Sequence, residues 1–204
     1  SETIGRFWPP GPDKEPVIEP EEWKALLDSA ERAILHTPPR SLIIRGDAKT
    51  GKTSFLKILG QRLSVKHWSV FEAGGPELQA GQTYIGQLEE RVKRLSQEAV
   101  AAKRIIWYVP DILQLAMGGT HQSQPASILD QLYGALSSGS IIIITEATPQ
   151  QITQLIQLKP HLKNFFEAVP LNALSETRTL ELVQGYVTEM EARQSTRFDP
   201  EAAP

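Results

Sequence analysis

Gly46-Asp47-Ala48-Lys49-Thr50-Gly51-Lys52-Thr53 is the stretch whose reading decides the fold. It fits the P-loop pattern of a glycine, four free positions, then Gly-Lys-Ser/Thr. Just before it, Ser41-Leu42-Ile43-Ile44-Arg45 reads as a short buried β-strand. Just after it, residues 54–63 carry Phe55, Leu56, Ile58, Leu59 and Leu63 at helical spacing. Strand, glycine-bounded loop and helix follow in the order the motif needs. In that geometry the backbone N–H groups from Gly46 to Ser54 and the helix N-terminus wrap a phosphate chain. Lys52 reaches the β- and γ-phosphates, and the Thr53 hydroxyl ligates Mg²⁺.

The 204 residues suffice for one α/β domain with a small appendage. Apolar content of 40% and charged content of 22% are those of an ordinary globular protein. A net charge of −3 without a Lys/Arg block gives no electrostatic footprint for nucleic acid. The absence of cysteine excludes disulfides, zinc–thiolate sites and thiol chemistry. It agrees with a reducing compartment, and the cytoplasm is the expected location. No apolar run approaches about 18 residues, and the N-terminus lacks a signal-peptide pattern, so no membrane association is expected. The chain opens at Ser1 and stops at Ala-Ala-Pro, from which a larger natural protein is expected.

Working outward, Pro9, Pro10, Pro12, Pro16 and Pro20 crowd residues 1–20 and exclude regular structure there. Phe7 and Trp8 either dock onto the body or stay in a loose arm. Residues 21–36 carry a helical stripe of Trp23, Leu26, Leu27, Ala30, Ala33, Ile34 and Leu35. A second strand is expected over 67–72, broken by Gly74-Gly75-Pro76. A charged amphipathic helix follows over 86–102, with Leu88, Val92, Leu95 and Val100 inward and Glu89, Glu90, Arg91, Lys93 and Arg94 solvated. Strands are expected over 104–109, over 140–145 with its four consecutive isoleucines, and over 167–171. Residues 117–126 read as a flexible loop. Helices are expected over 127–136, 149–158, 160–166 and from Ser175 to about residue 192. Strands alternating with helices imply a parallel, helix-covered sheet.

A nucleotide-hydrolysing site needs more than the loop. It usually places an Asp at a neighbouring strand end to hold the metal-bound water, then a Glu to activate the attacking water. The candidate strand Ile105-Ile106-Trp107-Tyr108-Val109 leads instead into Pro110-Asp111. Proline has no side-chain ligand atom, and Asp111 is one methylene shorter than Glu. Either Asp111 takes over part of the metal role, or the site binds nucleotide without efficient turnover. After the isoleucine strand, Thr148 and Glu146 are both candidates to sense a γ-phosphate or orient water; the alternative is an ordinary strand-end turn.

Residues 15–199 resemble the first AAA+ nucleotide-binding module of the Clp-type disaggregases and unfoldases. Beside the P-loop and Leu59-Gly60-Gln61-Arg62-Leu63, the resemblance rests on Pro16-Val17-Ile18 with Glu21-Glu22, which is similar to that family's adenine-pocket loop. It rests further on Thr83-Tyr84-Ile85-Gly86-Gln87-Leu88-Glu89-Glu90-Arg91-Val92-Lys93, similar to the aromatic pore-loop segment and its helix. Residues 144–148 match the sensor-1 strand, residues 175–186 the start of a helical lid, and Phe198-Asp199-Pro200 a later segment.

The resemblance implies an α/β P-loop NTPase of AAA+ type, a three-layer sandwich with a mostly parallel central sheet. Residues 1–20 would form the arm, 21–172 the nucleotide-binding core and 173–204 the first part of the lid. It implies ATP or ADP with Mg²⁺ as ligands and Val17 and Ile18 against the base. Catalytic roles would fall to Asp111 and Thr148, with Thr53 and Asp111 at the metal and Tyr84 on a polypeptide. A homo-oligomer or other protein domains are the implied partners.

The departures from that family are specific. Its Asp-Glu pair is Pro110-Asp111 here, its two arginines before the last strand fall at Asn164-Phe165, and the Gly-Arg after its adenine loop is Glu19-Pro20. An arginine finger contributes roughly 10³–10⁵ in rate where it operates. The leading expectation is therefore an adenine-nucleotide-binding module with weak or absent hydrolysis, acting as a switch or assembly unit in a larger protein. The alternatives are an active ATP-driven remodeller, with Arg178 or Arg104 replacing the finger, and a protein-interaction module that binds no nucleotide.

Overall fold

The computed structural model describes residues 4–9, 17–80, 87–118 and 126–194. Six strands form one sheet: β1 (Arg6–Phe7), β2 (Ser41–Arg45), β3 (Ser69–Glu72), β4 (Ile105–Val109), β5 (Ile142–Ala147) and β6 (Phe166–Pro170). Their spatial order is β1-β3-β4-β5-β2-β6, with every pair parallel except β1 with β3. The P-loop strand β2 thus lies between β5 and β6, and β5 separates it from β4.

Strand periodicity divides the interior into two cores. Ile43, Phe71, Trp107, Val109 and Ile143 face one way, against α3 (Gly75–Gln79), α4 (Gln87–Ala102), α5 (Ile112–Met117), α6 (Ile128–Gln131), α7 (Tyr133–Ser137) and α8 (Pro149–Leu158). Leu42, Ile44, Ile106, Tyr108, Ile142 and Ile144 face the other way, against α1 (Lys24–Leu35) and α2 (Lys52–Ser64). Two helical layers around a mostly parallel sheet make the expected three-layer sandwich. A last helix, α9 (Glu176–Gln194), lies at the margin and leaves Leu180 and Val183 exposed. Among the described residues no helix is long and apolar enough to cross a membrane.

Several sequence expectations are corrected. The proline-rich arm is not without regular structure, because Arg6 and Phe7 precede its first proline and pair antiparallel with Glu72 and Phe71. The Trp8 amide donates to the Val70 carbonyl at 2.9 Å, and the Phe7 and Phe71 rings lie 5.2 Å apart. The arm therefore docks, and it covers the β3 edge that would otherwise expose unpaired backbone. His67 sits in a turn at φ 64°, so β3 starts later than expected.

The Gly74-Gly75-Pro76 break also opens α3, where the Gly74 amide donates to the Glu77 carboxylate at 2.9 Å. The helix expected over 127–136 divides at Leu132 into α6 and α7. On α4, Val100 is exposed rather than inward, and Arg91 donates to the Leu78 and Ala80 carbonyls at 3.0 and 2.6 Å rather than facing only solvent. The segment 160–166 is a 3-10 turn, Pro160–Asn164, from which Phe165 leads into β6. Finally, β5 does not stop at Thr145 but runs on to Ala147, because its neighbour β2 still pairs Ile44 with Glu146 and Arg45 with Ala147.

Trp8 is the arm's main anchor. Its ring lies edge-on to Tyr108 at 5.2 Å, its indole N–H donates to Glu72 at 2.7 Å, and a Cβ on Gly60 would meet it at 2.9 Å. Phe7 is 57% exposed. Trp8→Ala is expected to cost about 2–3 kcal/mol in urea unfolding, the lower part of the large-to-small range. Phe7→Ala should cost less than half as much. Equal losses would mean that the strand pairing, not the indole, fastens the arm.

Candidate functional site

The P-loop leaves β2 at Arg45 and enters α2 at Lys52. Gly46 is buried where a side chain would not fit: its Cβ would stand 2.4 Å from the Leu171 carbonyl oxygen and 2.6 Å from Thr50 Oγ1. Lys49 and Gly51 take φ values of 65° and 86°, so the backbone turns its amides inward as anion-binding nests do. Gly51 at the N-cap has no side chain to satisfy the first-turn amides of α2, which stay available to an anion. A Cβ there would also meet the Trp23 ring at 2.7 Å. The Thr50 hydroxyl donates to the Asp47 carbonyl at 3.0 Å, and Lys52 Nζ donates to the same carbonyl at 2.6 Å. Asp47, Ala48, Lys49 and Ser54 are exposed on the rim.

Thr53, expected at the metal, donates to both carboxylate oxygens of Glu146, at 3.0 and 3.1 Å. The Tyr108 hydroxyl donates to Glu146 Oε1 at 2.7 Å. Burial first, and then the hydrogen bond to Glu146, hold the Tyr108 phenol well above its ordinary pKa, so it remains a donor at neutral pH. Asp111 and Thr148 are placed otherwise. The Asp111 carboxylate caps α5, accepting from the Leu113 amide at 3.0 Å. Thr148 caps α8: its hydroxyl accepts from the Gln151 amide at 3.2 Å and its own amide donates to the Gln151 side chain at 2.8 Å. The structure brings Thr53 to Glu146 and gives Asp111 and Thr148 helix-capping bonds. In the sequence Glu146 is marked by its place two residues past the isoleucine run; the register puts it within β5, beside the P-loop strand.

At the loop expected to meet the base, Val17 packs on the α1–α2 core. The Ile18 Cδ1 atom would lie 3.1 Å from a Cβ on Gly185 of α9, so residues 17–18 stand between the body and the last helix. Arg62 of α2 fixes the following turn by pairing with Glu19, with Nε–Oε2 at 3.0 Å, and with Asp28 at 2.6 Å. The 3-10 turn Glu21–Trp23 meets α9 through Arg178, whose Nε donates to Glu22 at 3.0 Å while its other arm reaches Glu181 at 2.7 Å. Arg104 reaches the Lys66 carbonyl at 3.4 Å. Phe165, at an expected arginine position, packs edge-on to Tyr133 at 5.1 Å. Tyr84 and the segment 198–200 lie outside the described residues. A cavity of about 670 Å³ lies beside the arm, α2 and the β3 edge, lined by Trp8, Thr53, Lys57, Trp68 and Tyr108 among others; it meets α2 at Thr53 but is not lined by residues 46–51.

Thr53 and Glu146 offer hydroxyl and carboxylate oxygens, the hard donors that suit Mg²⁺. Among the described residues no group of three or more His, Cys, Asp or Glu gathers around a metal position. Mg²⁺ needs no such cage, since it keeps several waters and leans on substrate phosphates.

The sequence model of the ATPase family associated with various cellular activities (AAA) matches residues 42–167, from β2 into β6. The chain is 26% identical over 181 residues to the chaperone protein ClpB of Aquifex aeolicus (strain VF5), a match covering 83% of this chain and 17% of the relative. It is 25% identical over 193 residues to the ATP-dependent Clp protease ATP-binding subunit ClpL of Staphylococcus aureus (strain MRSA252), covering 90% and 27%. The chain thus spans a minor part of the length of these relatives. Among solved structures, the S. cerevisiae Hsp104–ADP complex superposes with a TM-score of 0.72 at 21% identity, over 91% of this chain and 26% of that one. The S. cerevisiae Hsp104:casein complex in its extended conformation gives 0.73 at 20% identity, over 90% and 32%. These two agree with the three-layer fold. With the family model covering most of the chain and the P-loop at the start of the matched span, the chain belongs to the AAA family of ATPases, as a module of the Clp type.

Proposed function

We propose that the module binds ATP or ADP with Mg²⁺ through residues 46–54 and hydrolyses it slowly or not at all, so that the nucleotide acts as a switch or assembly ligand inside a larger protein. The carrying observation is a complete phosphate cradle beside altered catalytic positions. Gly46, Lys49 and Gly51 shape the loop, Gly51 leaves the first-turn amides of α2 without a side-chain cap, and Lys52 stands at the loop with its Nζ on the Asp47 carbonyl. Pro110 offers no ligand, the Asp111 carboxylate is engaged at the α5 N-terminus, and Asn164 and Phe165 carry no charge. Placement errors near 1 Å cost about 10²-fold in rate, and Asp111 would have to leave its cap to act on a water. Thr148, in its α8 cap, remains the candidate γ-phosphate sensor, and Val17 and Ile18 the walls of the base site.

Mg²⁺ supplies charge neutralisation between the phosphates when bound; Thr53 would hold it, and Lys52 would give up its bond to the Asp47 carbonyl to reach the phosphates. Partners follow from the Clp-type reading: further copies of the chain, other domains of the same protein, and a polypeptide at Tyr84. The cytoplasm is the location this reading favours. Retention of a carboxylate at Thr53 favours the active remodeller as second reading.

Thermal unfolding tests the binding. Mg²⁺-ATP at 100 times its Kd should stabilise the protein by about 2.7 kcal/mol, roughly 5–10 °C for a chain of this size. Lys52→Ala should abolish most of that shift, whereas no shift in the wild type would leave the interaction-module reading. Steady-state ATP turnover is expected below about 1 s⁻¹, the low end of ordinary enzymes. Lys52-dependent turnover at or above that rate would replace the switch with the active remodeller.

A further inference from the structure

The strand that should end in a metal-site acid ends in Pro110, yet a carboxylate stands at the P-loop threonine. Even-numbered residues of β5 face α2, since Ile142 and Ile144 share a core with Phe55 and Leu59. Odd-numbered ones face away, and the Thr145 hydroxyl donates to the Val109 carbonyl at 2.7 Å. Glu146 continues the even series one residue before Ala147, whose carbonyl accepts from the Gly46 amide at 3.2 Å. Its side chain is thereby delivered over the first turn of α2, onto Thr53.

We propose that Glu146 supplies the protein carboxylate of the Mg²⁺ site in the place left by Pro110, with Tyr108 as its positioning residue. The inference rests on the nucleotide-binding reading above and assigns the metal side of that same site. Two observations carry it. The first is distance: Thr53 Oγ1 lies 3.0 and 3.1 Å from the two Glu146 oxygens. Adjacent ligands of an octahedral Mg²⁺, with bonds of 2.0–2.1 Å, stand about 2.9 Å apart. The pair already has the spacing of two neighbouring ligands, whether it holds the ion directly or through one of its waters.

The second observation is support. Tyr108 of β4 donates to Glu146 Oε1 at 2.7 Å and is itself held by the Trp8 ring. A ligating carboxylate oriented by an outer hydrogen bond is the usual construction of a metal site. Tyr108 is buried on the strand whose own end has lost its acid, so β4 contributes to the metal through a hydroxyl on its neighbour's carboxylate. Asp111, the sequence candidate for this role, has its carboxylate on the Leu113 amide.

The test is ADP binding by titration calorimetry, in Mg²⁺ and in EDTA, for the wild type and for Glu146→Gln, Tyr108→Phe and Asp111→Asn. ADP removes hydrolysis from the readout. Wild type is expected to bind ADP at least about 10-fold more tightly with Mg²⁺, and Glu146→Gln to lose that gain while keeping the EDTA affinity, which also shows it folded. Tyr108→Phe should lose about 10-fold of the gain, the low end for removing an outer-shell hydrogen bond, and carries the test if the Gln variant does not fold. Asp111→Asn should retain the gain. The Mn²⁺·ADP complex should change its electron paramagnetic resonance spectrum in Glu146→Gln and not in Asp111→Asn. Full Mg²⁺ dependence in Glu146→Gln, or its loss in Asp111→Asn, overturns the assignment. Equal loss in Mg²⁺ and EDTA overturns it too, since Glu146 would then serve the phosphate cradle. No ADP binding by the wild type in either buffer overturns the nucleotide-binding reading itself.

Discussion

The Gly46 amide donates to the Ala147 carbonyl, and a Cβ on the same residue would stand 2.4 Å from the Leu171 carbonyl oxygen. Three chain segments, leaving the parallel strands β5, β2 and β6, meet there with no room for a side chain. This close approach sets where the P-loop begins and hence where α2 points. It also sets how far β5 remains a strand, because the Gly46–Ala147 bond extends the ladder beyond Arg45. With the strand carried through Ala147, Glu146 must face one layer or the other, and periodicity gives it to α2. The phosphate cradle and the carboxylate beside it are two results of one contact.

The far edge of the sheet reaches the same place by packing. Arg6 and Phe7 add an antiparallel strand to β3, which puts Trp8 over Gly60 and against Tyr108. Tyr108 then spans from the arm to Glu146. Each contact is short and local, yet it joins residues about a quarter and a half of the chain apart. A glycine in the middle of α2 costs helix stability, about 1 kcal/mol relative to alanine. Here the open space at Gly60 is what admits the indole.

The P-loop and the alternation of strands and helices were legible because both are local signals: a fixed spacing and a period. The bounds of β2 and α8 were read to the residue, since a polar or proline position marks each end. What escaped was set by pairing between distant segments. The prolines of the arm predict irregular backbone, while its pairing with β3 is a property of β3 as much as of the arm. Arg91 read as solvated because nothing in α4 announces the carbonyls of Leu78 and Ala80. At the site, the missing acid at Pro110 is visible in the sequence, and Glu146 and Thr148 stand there as two candidates to sense a γ-phosphate or orient water. That Glu146 faces α2 follows from the register of β5 on β2, whereas Thr148 lies just beyond the strand and caps α8.

The last helix is fastened differently from the rest. Where other helices are buried along an apolar face, α9 meets the body beside residues 17–22 through Arg178 and Glu22, both at the surface, and through Ile18 against Gly185. An exposed ion pair feels the surrounding electrolyte: its reach shrinks from about 30 Å at 0.01 M salt to about 8 Å at 0.15 M. The seam between α9 and the body is therefore partly written in charge rather than in packing, and its grip follows the ionic strength of the solution. With no side chain at Gly185, Ile18 stands close over bare backbone there.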